Sequence, residues 1–258
     1  MLRQALINHH TDVSSHTNDG FRWRGREIAR IEGLSDAVFA FAVTLLVVSL
    51  EVPKTFNELA VLMRGFFPFA ISFALLMRIW YEQYLFFRRY NLQDGVSVFL
   101  NAVLLFVVLF YVYPLKFLWS FLINQWTGAG TQVAKPGGGF EQMIEPHQIP
   151  ALMEIFSAGF LAVSCIFLVL FYRALRQRTE LDLNALEILE TRASIGVNAI
   201  NAATAIVSLA IAFFGGARFG GWAGMIYPVL ICPGFTIFYS IMGRRRRMLS
   251  QAAAPSPG

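Results

Sequence analysis

Charge is what this chain has least of. Asp, Glu, Lys and Arg make up 14% of its 258 residues, where a soluble domain typically carries about a quarter. So thin a supply of polar surface excludes an ordinary water-soluble domain. Cysteine is nearly absent too. Cys165 and Cys232 both sit inside apolar runs, where a free thiol serves as a small packing group, and no disulfide is expected. The four histidines, His9, His10, His16 and His147, lie outside those runs. No H-E-x-x-H and no paired C-x-x-C accompanies them, so neither a metal nor a cofactor is expected. A phosphate loop of the form G-x-x-x-x-G-K-[ST] and a G-x-S-x-G elbow are also missing. An enzyme acting inside a membrane needs His, Asp, Glu or metal ligands deep in a bundle, and almost none falls at mid-depth. Enzymatic chemistry is therefore not expected. Without a T-V-G-Y-G-like stretch, any pore here cannot select ions through that kind of carbonyl cage.

What is present is apolar. Hydrophobic residues reach 56%, Phe alone contributes 25, and the mean hydropathy is +0.55. A spanning helix needs roughly 20 apolar residues, at about 1.5 Å of rise each through a core of about 30 Å. Six stretches qualify: 31–52, 59–84, 97–122, 150–172, 193–215 and 222–242. The first is the weakest, because Ala37 to Leu50 is too short to cross alone and must extend back through Ser35 and Asp36 before Pro53 ends it. It follows a long polar lead and lacks an A-x-A-type cleavage site, so it is not read as a removable signal peptide. The prediction is an all-α membrane protein with six transmembrane helices.

The net charge of +5 and pI near 9.5 do not point to nucleic acid, because the basic residues are parked between apolar runs. Arg3, Arg22, Arg24, Arg26 and Arg30 precede the first span. Arg88 and Arg89 follow the second, Arg173, Arg176, Arg178 and Arg192 separate the fourth and fifth, and Arg244 to Arg247 close the sixth. Only Lys54, Lys135 and Arg218 lie in the opposite loops. The positive-inside rule then puts both termini in the cytoplasm of a multi-pass cell-membrane protein. Arg64 and Lys116 lie near outer helix ends and are expected to snorkel to the interface. Arg78 is expected to pair with Glu82, four residues on. Trp119, Trp126 and Trp222 would mark the outer interface, and Trp80, Tyr81 and Tyr84 the inner one. Residues 1–20 and the stretch after Arg247 read as disordered, and the glycine-containing loop 123–149 as a flexible linker. The stretch 180–190 reads as a short cytoplasmic helix leading into the fifth span.

One polar cluster stands out, Arg30-Ile31-Glu32-Gly33-Leu34-Ser35-Asp36, at the start of the first span. A carboxylate at a helix centre costs about 2.5–3.5 kcal/mol on insertion scales, so Asp36 should be shallow and paired. Trp80, Asn101, Asn198, Asn201, Arg30 and Arg78 are the candidate partners. Such a network either holds helices together, at about 0.6–2 kcal/mol per contact, or binds a permeant ion directly.

The stretch Arg30 to Pro53, RIEGLSDAVFAFAVTLLVVSLEVP, resembles the start of the transmembrane protein 175 family, potassium-permeable channels of lysosomes and bacteria. Arg30, Ser35 and Asp36 match that family's Arg-x-x-x-Phe-Ser-Asp pattern, with Leu34 in place of Phe. Trp80 in WYEQYLFFRRYN, and Asn101 and Pro114 in FLNAVLLFVVLFYVYP, match its second and third helices. Gln83 and Tyr84 stand where family members commonly have His. The resemblance covers about 30–120.

It implies a channel domain over 30–243, between a disordered basic cytoplasmic lead (1–29) and a basic cytoplasmic tail (244–258). Such channels have no re-entrant filter loop. Single-repeat bacterial members resemble homotetramers in which the first helix of each subunit lines the axis. By helical spacing Phe41, Thr44, Leu45 and Val48 share a face of the first span, and Ala37, Ala40 and Ala42 keep that helix slim. The resemblance makes that face the pore, with an apolar gate that closes by dewetting and potassium ions and the lipid bilayer as partners. Family members usually place Ile or Leu where Phe41 stands. Two other classes remain open at the level of sequence: a secondary transporter, hinted at by Gly215-Gly216 and Pro233-Gly234, and a non-conducting membrane scaffold.

Overall fold

The computed structural model describes residues 21–25, 27–48, 53–127, 132–134 and 139–252. Helix α1 (Arg30–Val48) is followed by the short α2 (Phe56–Arg64), then α3 (Phe66–Tyr90) and α4 (Gly95–Thr127). A two-stranded antiparallel ribbon, β1 (Gln132–Ala134) and β2 (Phe140–Gln142), leads to α5 (Ile149–Arg176). The helical run Ala185–Ala252 is broken at Gly216, giving α6 (Ala185–Gly216) and α7 (Trp222–Arg246). Four of these, α4, α5 (with the turn before it), α6 and α7, are long and apolar enough to cross a membrane.

The second predicted span, 59–84, is two helices rather than one. Pro68 has no N–H for the Arg64 carbonyl, and its ring would clash with that carbonyl in an unbroken helix. The chain therefore turns at Gly65, whose N–H closes back on the Leu62 carbonyl at 2.9 Å. Helix α3 then runs past residue 84 to Tyr90, where Asn91 adopts left-handed φ of 51° and its N–H bonds the Phe87 carbonyl. The linker 123–149 is also more structured than its glycines suggest. Three residues on each side of 135–138 pair as strands, Val133 opposite Glu141, and a 3₁₀ turn at Pro146–Gln148 leads into α5.

Helix ends alternate along the chain, and ion pairs gather one set at a common end. Arg88 near the end of α3 meets Glu32 at the start of α1, at 3.4 Å. Arg173 at the end of α5 meets Asp94 before α4, at 2.5 Å. Arg246 at the end of α7 meets Glu190 at the start of α6, at 3.6 Å. Asp94 also caps α4 by accepting from the Ser97 hydroxyl (2.6 Å) and the Val96 N–H (3.2 Å). Burial alone would raise the Asp94 pKa, but the Ser97 hydrogen bond and the Arg173 charge outweigh it and lower it.

The lead assigned to disorder over 1–29 is, from Phe21 on, part of this end. Phe21 is fully buried, edge-on to Tyr90 at 5.5 Å and beneath the Arg89 guanidinium at 4.8 Å. The Arg24 and Gly25 N–H groups bond the Arg88 carbonyl. Arg24 (2.8 Å) and Arg22 (3.4 Å) both clamp Glu187 in the first turn of α6, well before the apolar run at 193–215. Arg22 also bonds the Asp182 carbonyl. An apolar anchor between two arginines explains why this basic stretch folds back. Residues 1–20 lie outside the described residues. At the other terminus the helical run continues beyond α7 through Ala252, past Arg247, after which disorder was expected. The stretch 180–190 divides: residues up to Asp182 form a turn, and helix from Ala185 runs unbroken into α6.

Among the described residues the interior forms two apolar clusters. One, near the ion-paired end, joins Phe39 and Leu46 of α1 to Leu76, Phe86, Leu104 and Phe167. The other, toward the opposite end, centres on Tyr111, Leu115, Met153 and Phe156 with Ala223 of α7. Large apolar side chains such as Phe106, Phe110, Phe213 and Phe214 point outward, at 70–85% exposure, as a lipid-facing surface requires.

Candidate pore helix and its polar anchor

Helix α1 has two unlike faces. Glu32, Ser35, Phe39, Ala42 and Leu46 recur at three- and four-residue spacing and are buried against α3 and α4. Gly33, Ala37, Ala40, Thr44 and Val47 form the opposite, exposed stripe, flanked by Phe41 at 56% exposure. Phe41 and Thr44 thus share the open face. Leu45, predicted beside them, is half-buried and packs on the core from the flank. Val48 ends the helix, and its side chain lies outside the described residues. The Thr44 hydroxyl donates to the Ala40 carbonyl at 2.9 Å, which leaves its oxygen lone pairs available on the open side. Ala42 is fully buried, so its small size serves the helix contact, while Ala37 and Ala40 are exposed.

The first turns of α1 are held by polar bonds. Ser35 Oγ donates to the Ile31 carbonyl at 2.7 Å and accepts from Asn101 Nδ2 at 3.0 Å. Asn101 Oδ1 accepts in turn from Gln83 Nε2 at 3.1 Å. All three side chains are buried, and the chain Gln83–Asn101–Ser35 ties α3, α4 and α1 together. Beside it, Trp80 Nε1 donates to Asp36 Oδ1 at 2.8 Å, while the Trp80 ring stacks on Tyr84 with centroids 5.7 Å apart.

Of the other candidate partners of Asp36, Arg78 and Asn198 bond elsewhere. Arg30 opens α1 exposed. Arg78 lies 3.8 Å from Glu82, as the four-residue spacing predicts. Asn198 donates to Glu82 Oε1 at 2.6 Å, so that carboxylate, not Asp36, receives the α6 amide. Gln83 and Arg88 were missed as contributors from sequence, and Glu32, named in the polar cluster, was given no partner there. Gln83 follows Trp80 by three residues and Glu32 precedes Ser35 by three, spacing that places each on the same helix face as its neighbour.

The segment that builds this site, residues 30–111, matches the family model described as endosomal/lysosomal potassium channel TMEM175. A curated potassium channel of Marivirga tractuosa is 40% identical over 238 residues, 91% of this chain and 95% of that protein. The chain belongs to the TMEM175 family. A solved structure of a variant of the potassium channel MtTMEM175, in complex with a nanobody–MBP fusion protein, superposes with a TM-score of 0.74 at 38% identity. It covers 88% of this chain and 99% of the other. A potassium channel of Chamaesiphon minutus is 32% identical over 106 residues, 38% of this chain and 52% of that protein. The TMEM175 family is a channel family rather than an enzyme class, and the TMEM175 match falls on α1, α3 and the first half of α4, where the polar anchor lies.

Proposed function

We propose that this protein is a potassium-permeable, leak-like cation channel of the cell membrane, whose pore is lined by α1 from several copies. In this reading α1, α3, α4, α5, α6 and α7 are six transmembrane helices, both termini are cytoplasmic, and no re-entrant loop supplies a filter. The conducting unit is 30–243, with the lead and the basic tail on the cytoplasmic side. The observation that carries the reading is the open face of α1. A helix held by polar bonds on one side, and presenting Gly33, Ala37, Ala40, Phe41 and Thr44 on the other, leaves a surface of small, aromatic and hydroxyl groups exposed among the described residues.

Four copies around an axis give an apolar Phe41 ring about 7–8 Å beyond Asp36 by helical rise, followed by a ring of Thr44 hydroxyls. The aromatic ring excludes water when it closes and so gates by dewetting. The hydroxyl oxygens replace part of a cation's hydration shell. Potassium, with its weaker hydration, gives up water to such a ring more readily than sodium does. The basic end, positive-inside by composition, supports the orientation. The polar anchor is assigned to holding α1, since Ser35, Asn101 and Gln83 are buried and engaged with one another.

The test is potassium flux in proteoliposomes, with sodium as competitor. Wild type is expected to pass potassium in preference to sodium, and Phe41→Ala to raise the flux by removing the ring. No flux in either, from protein of the correct assembled mass, would turn the reading to a non-conducting scaffold. Saturable, proton-coupled uptake would turn it to a transporter.

A further inference from the structure

Between α5 and α6 an outward-facing groove of about 530 Å³ carries one charged group among apolar ones. Ala158 and Ala210 give the groove its depth, because neither side chain extends past Cβ, and Ile155, Ile206 and Phe213 wall it. The Ser157 and Ser208 hydroxyls, next to those alanines in the chain, share a 2.9 Å hydrogen bond that fastens α5 to α6. Both helices are long and apolar enough to cross a membrane, so the groove opens toward acyl chains. Residues 206–214 extend about 12 Å by helical rise, most of one leaflet of a hydrocarbon core about 30 Å thick. Meanwhile α1 packs on α3 and α4 rather than on these two helices, so the groove lies apart from the face assigned to other copies.

The charged member is Glu154, half-buried in the second turn of α5. Among the described residues no hydrogen bond or ion pair engages its carboxylate. A carboxylate set against apolar chains is costly unless a cation meets it. We propose that the groove binds one phospholipid with a primary ammonium headgroup, a phosphatidylethanolamine, with an acyl chain along Ala158 and Ala210 and the ammonium on Glu154. Charge decides against an anionic headgroup, which the carboxylate repels. Hydrogen bonding decides against choline, whose trimethylammonium has no N–H, whereas the ethanolamine nitrogen donates a charge-assisted bond. The site goes beyond the channel reading, and its test needs no conduction.

The experiment titrates the full-length protein in detergent with dioleoyl phosphatidylethanolamine, phosphatidylcholine or phosphatidylglycerol, and native mass spectrometry counts the lipid retained per subunit. Wild type is expected to retain the ethanolamine lipid about tenfold better than the other two, the scale of one charge-assisted hydrogen bond. Glu154→Gln keeps the size of the side chain and removes its charge. It is expected to bring ethanolamine to within about twofold of choline, the size of that preference having been set by the charge. Ala210→Trp fills the groove and is expected to lower retention of both. Equal retention in wild type, or a preference that survives either substitution, overturns the site. A second measurement uses wild type alone, and decides the matter if a variant does not elute as the wild-type assembly. A phosphatidylethanolamine with a photoreactive diazirine in its acyl chain is crosslinked to the protein, and the label is mapped on peptides. Label on 154–158 and 206–214 is expected. Label confined to other segments overturns the proposal, as it would if a second copy covered the groove.

Discussion

Asp36 shows how a carboxylate is accommodated at the edge of an apolar helix. It accepts a 2.8 Å bond from the Trp80 indole, a charge-assisted contact stronger than a neutral one. Trp80→Phe leaves the carboxylate without that donor, and a loss of about 1–2 kcal/mol is expected. The measurement is the thermal midpoint of detergent-solubilised protein. A midpoint equal to wild type would show that the indole contributes nothing. Glu187 poses the same problem in the first turn of α6, before the apolar run at 193–215 begins. Burial alone would raise its pKa, but the side chain of Arg24 and the N–H and guanidinium of Arg22 hold it at about 2, below its ordinary 4.5. A carboxyl group with a depressed folded-state value stabilises the fold above about pH 4.5, and that contribution fades as pH falls toward 2. Glu187→Gln is therefore expected to lower the midpoint by several degrees at neutral pH and to converge on wild type under strong acid. Parallel curves across that range would sink the assignment.

At the scale of elements, close approach and backbone geometry matter more than hydropathy. Helix α5 passes α4 so closely that a Cβ on Gly159 would sit 2.2 Å from the Tyr111 ring. Tyr111 has no easy retreat, since it is buried and its hydroxyl donates to the Phe156 carbonyl at 3.0 Å. Gly159→Ala is expected to cost about 1–3 kcal/mol through overpacking, read as a lower midpoint or as loss of the folded peak in gel filtration. The turn between α6 and α7 depends on Gly216, at φ 52° and ψ −152°. A side chain there strains the backbone by about 1–3 kcal/mol, so Gly216→Ala should loosen α7. The Ser208 hydroxyl bonds the Ala223 carbonyl at 2.9 Å, and Tyr227 bonds Ser157 at 2.9 Å. Limited proteolysis near 216 reports the loosening, and a wild-type cleavage pattern counts against it.

At the scale of the whole molecule, the proposed channel assigns the open face of α1 to other copies and the outward Phe side chains of α4 and α6 to lipid. The homotetramer of the pore reading is expected to give a mass four times that of the chain once detergent is subtracted. A strictly monomeric mass in lipid nanodiscs would remove the axis on which the Phe41 ring depends.

Much of this was open to reading along the chain because apolar runs and their punctuation are local. A run of about 20 apolar residues has few folded alternatives, and the basic residues between runs mark one end by their number alone. Ser35, Asp36, Trp80 and Asn101 were legible for the same reason: a polar group inside an apolar stretch must find a partner. Tertiary structure decided which partner each one has. It gave Asn101 to Gln83 and Ser35, Asn198 to Glu82, and Lys116 to Leu46, because those choices depend on helix rotation and depth, which hydropathy does not encode. It also folded Phe21, Arg22 and Arg24 back onto Tyr90 and Glu187, since a basic lead looks the same in sequence whether it is solvated or clamped. Leu45 lies on the flank of the open face of α1 for a related reason. Spacing defines a stripe about a helix, but only the neighbouring helices determine which edge of that stripe is covered.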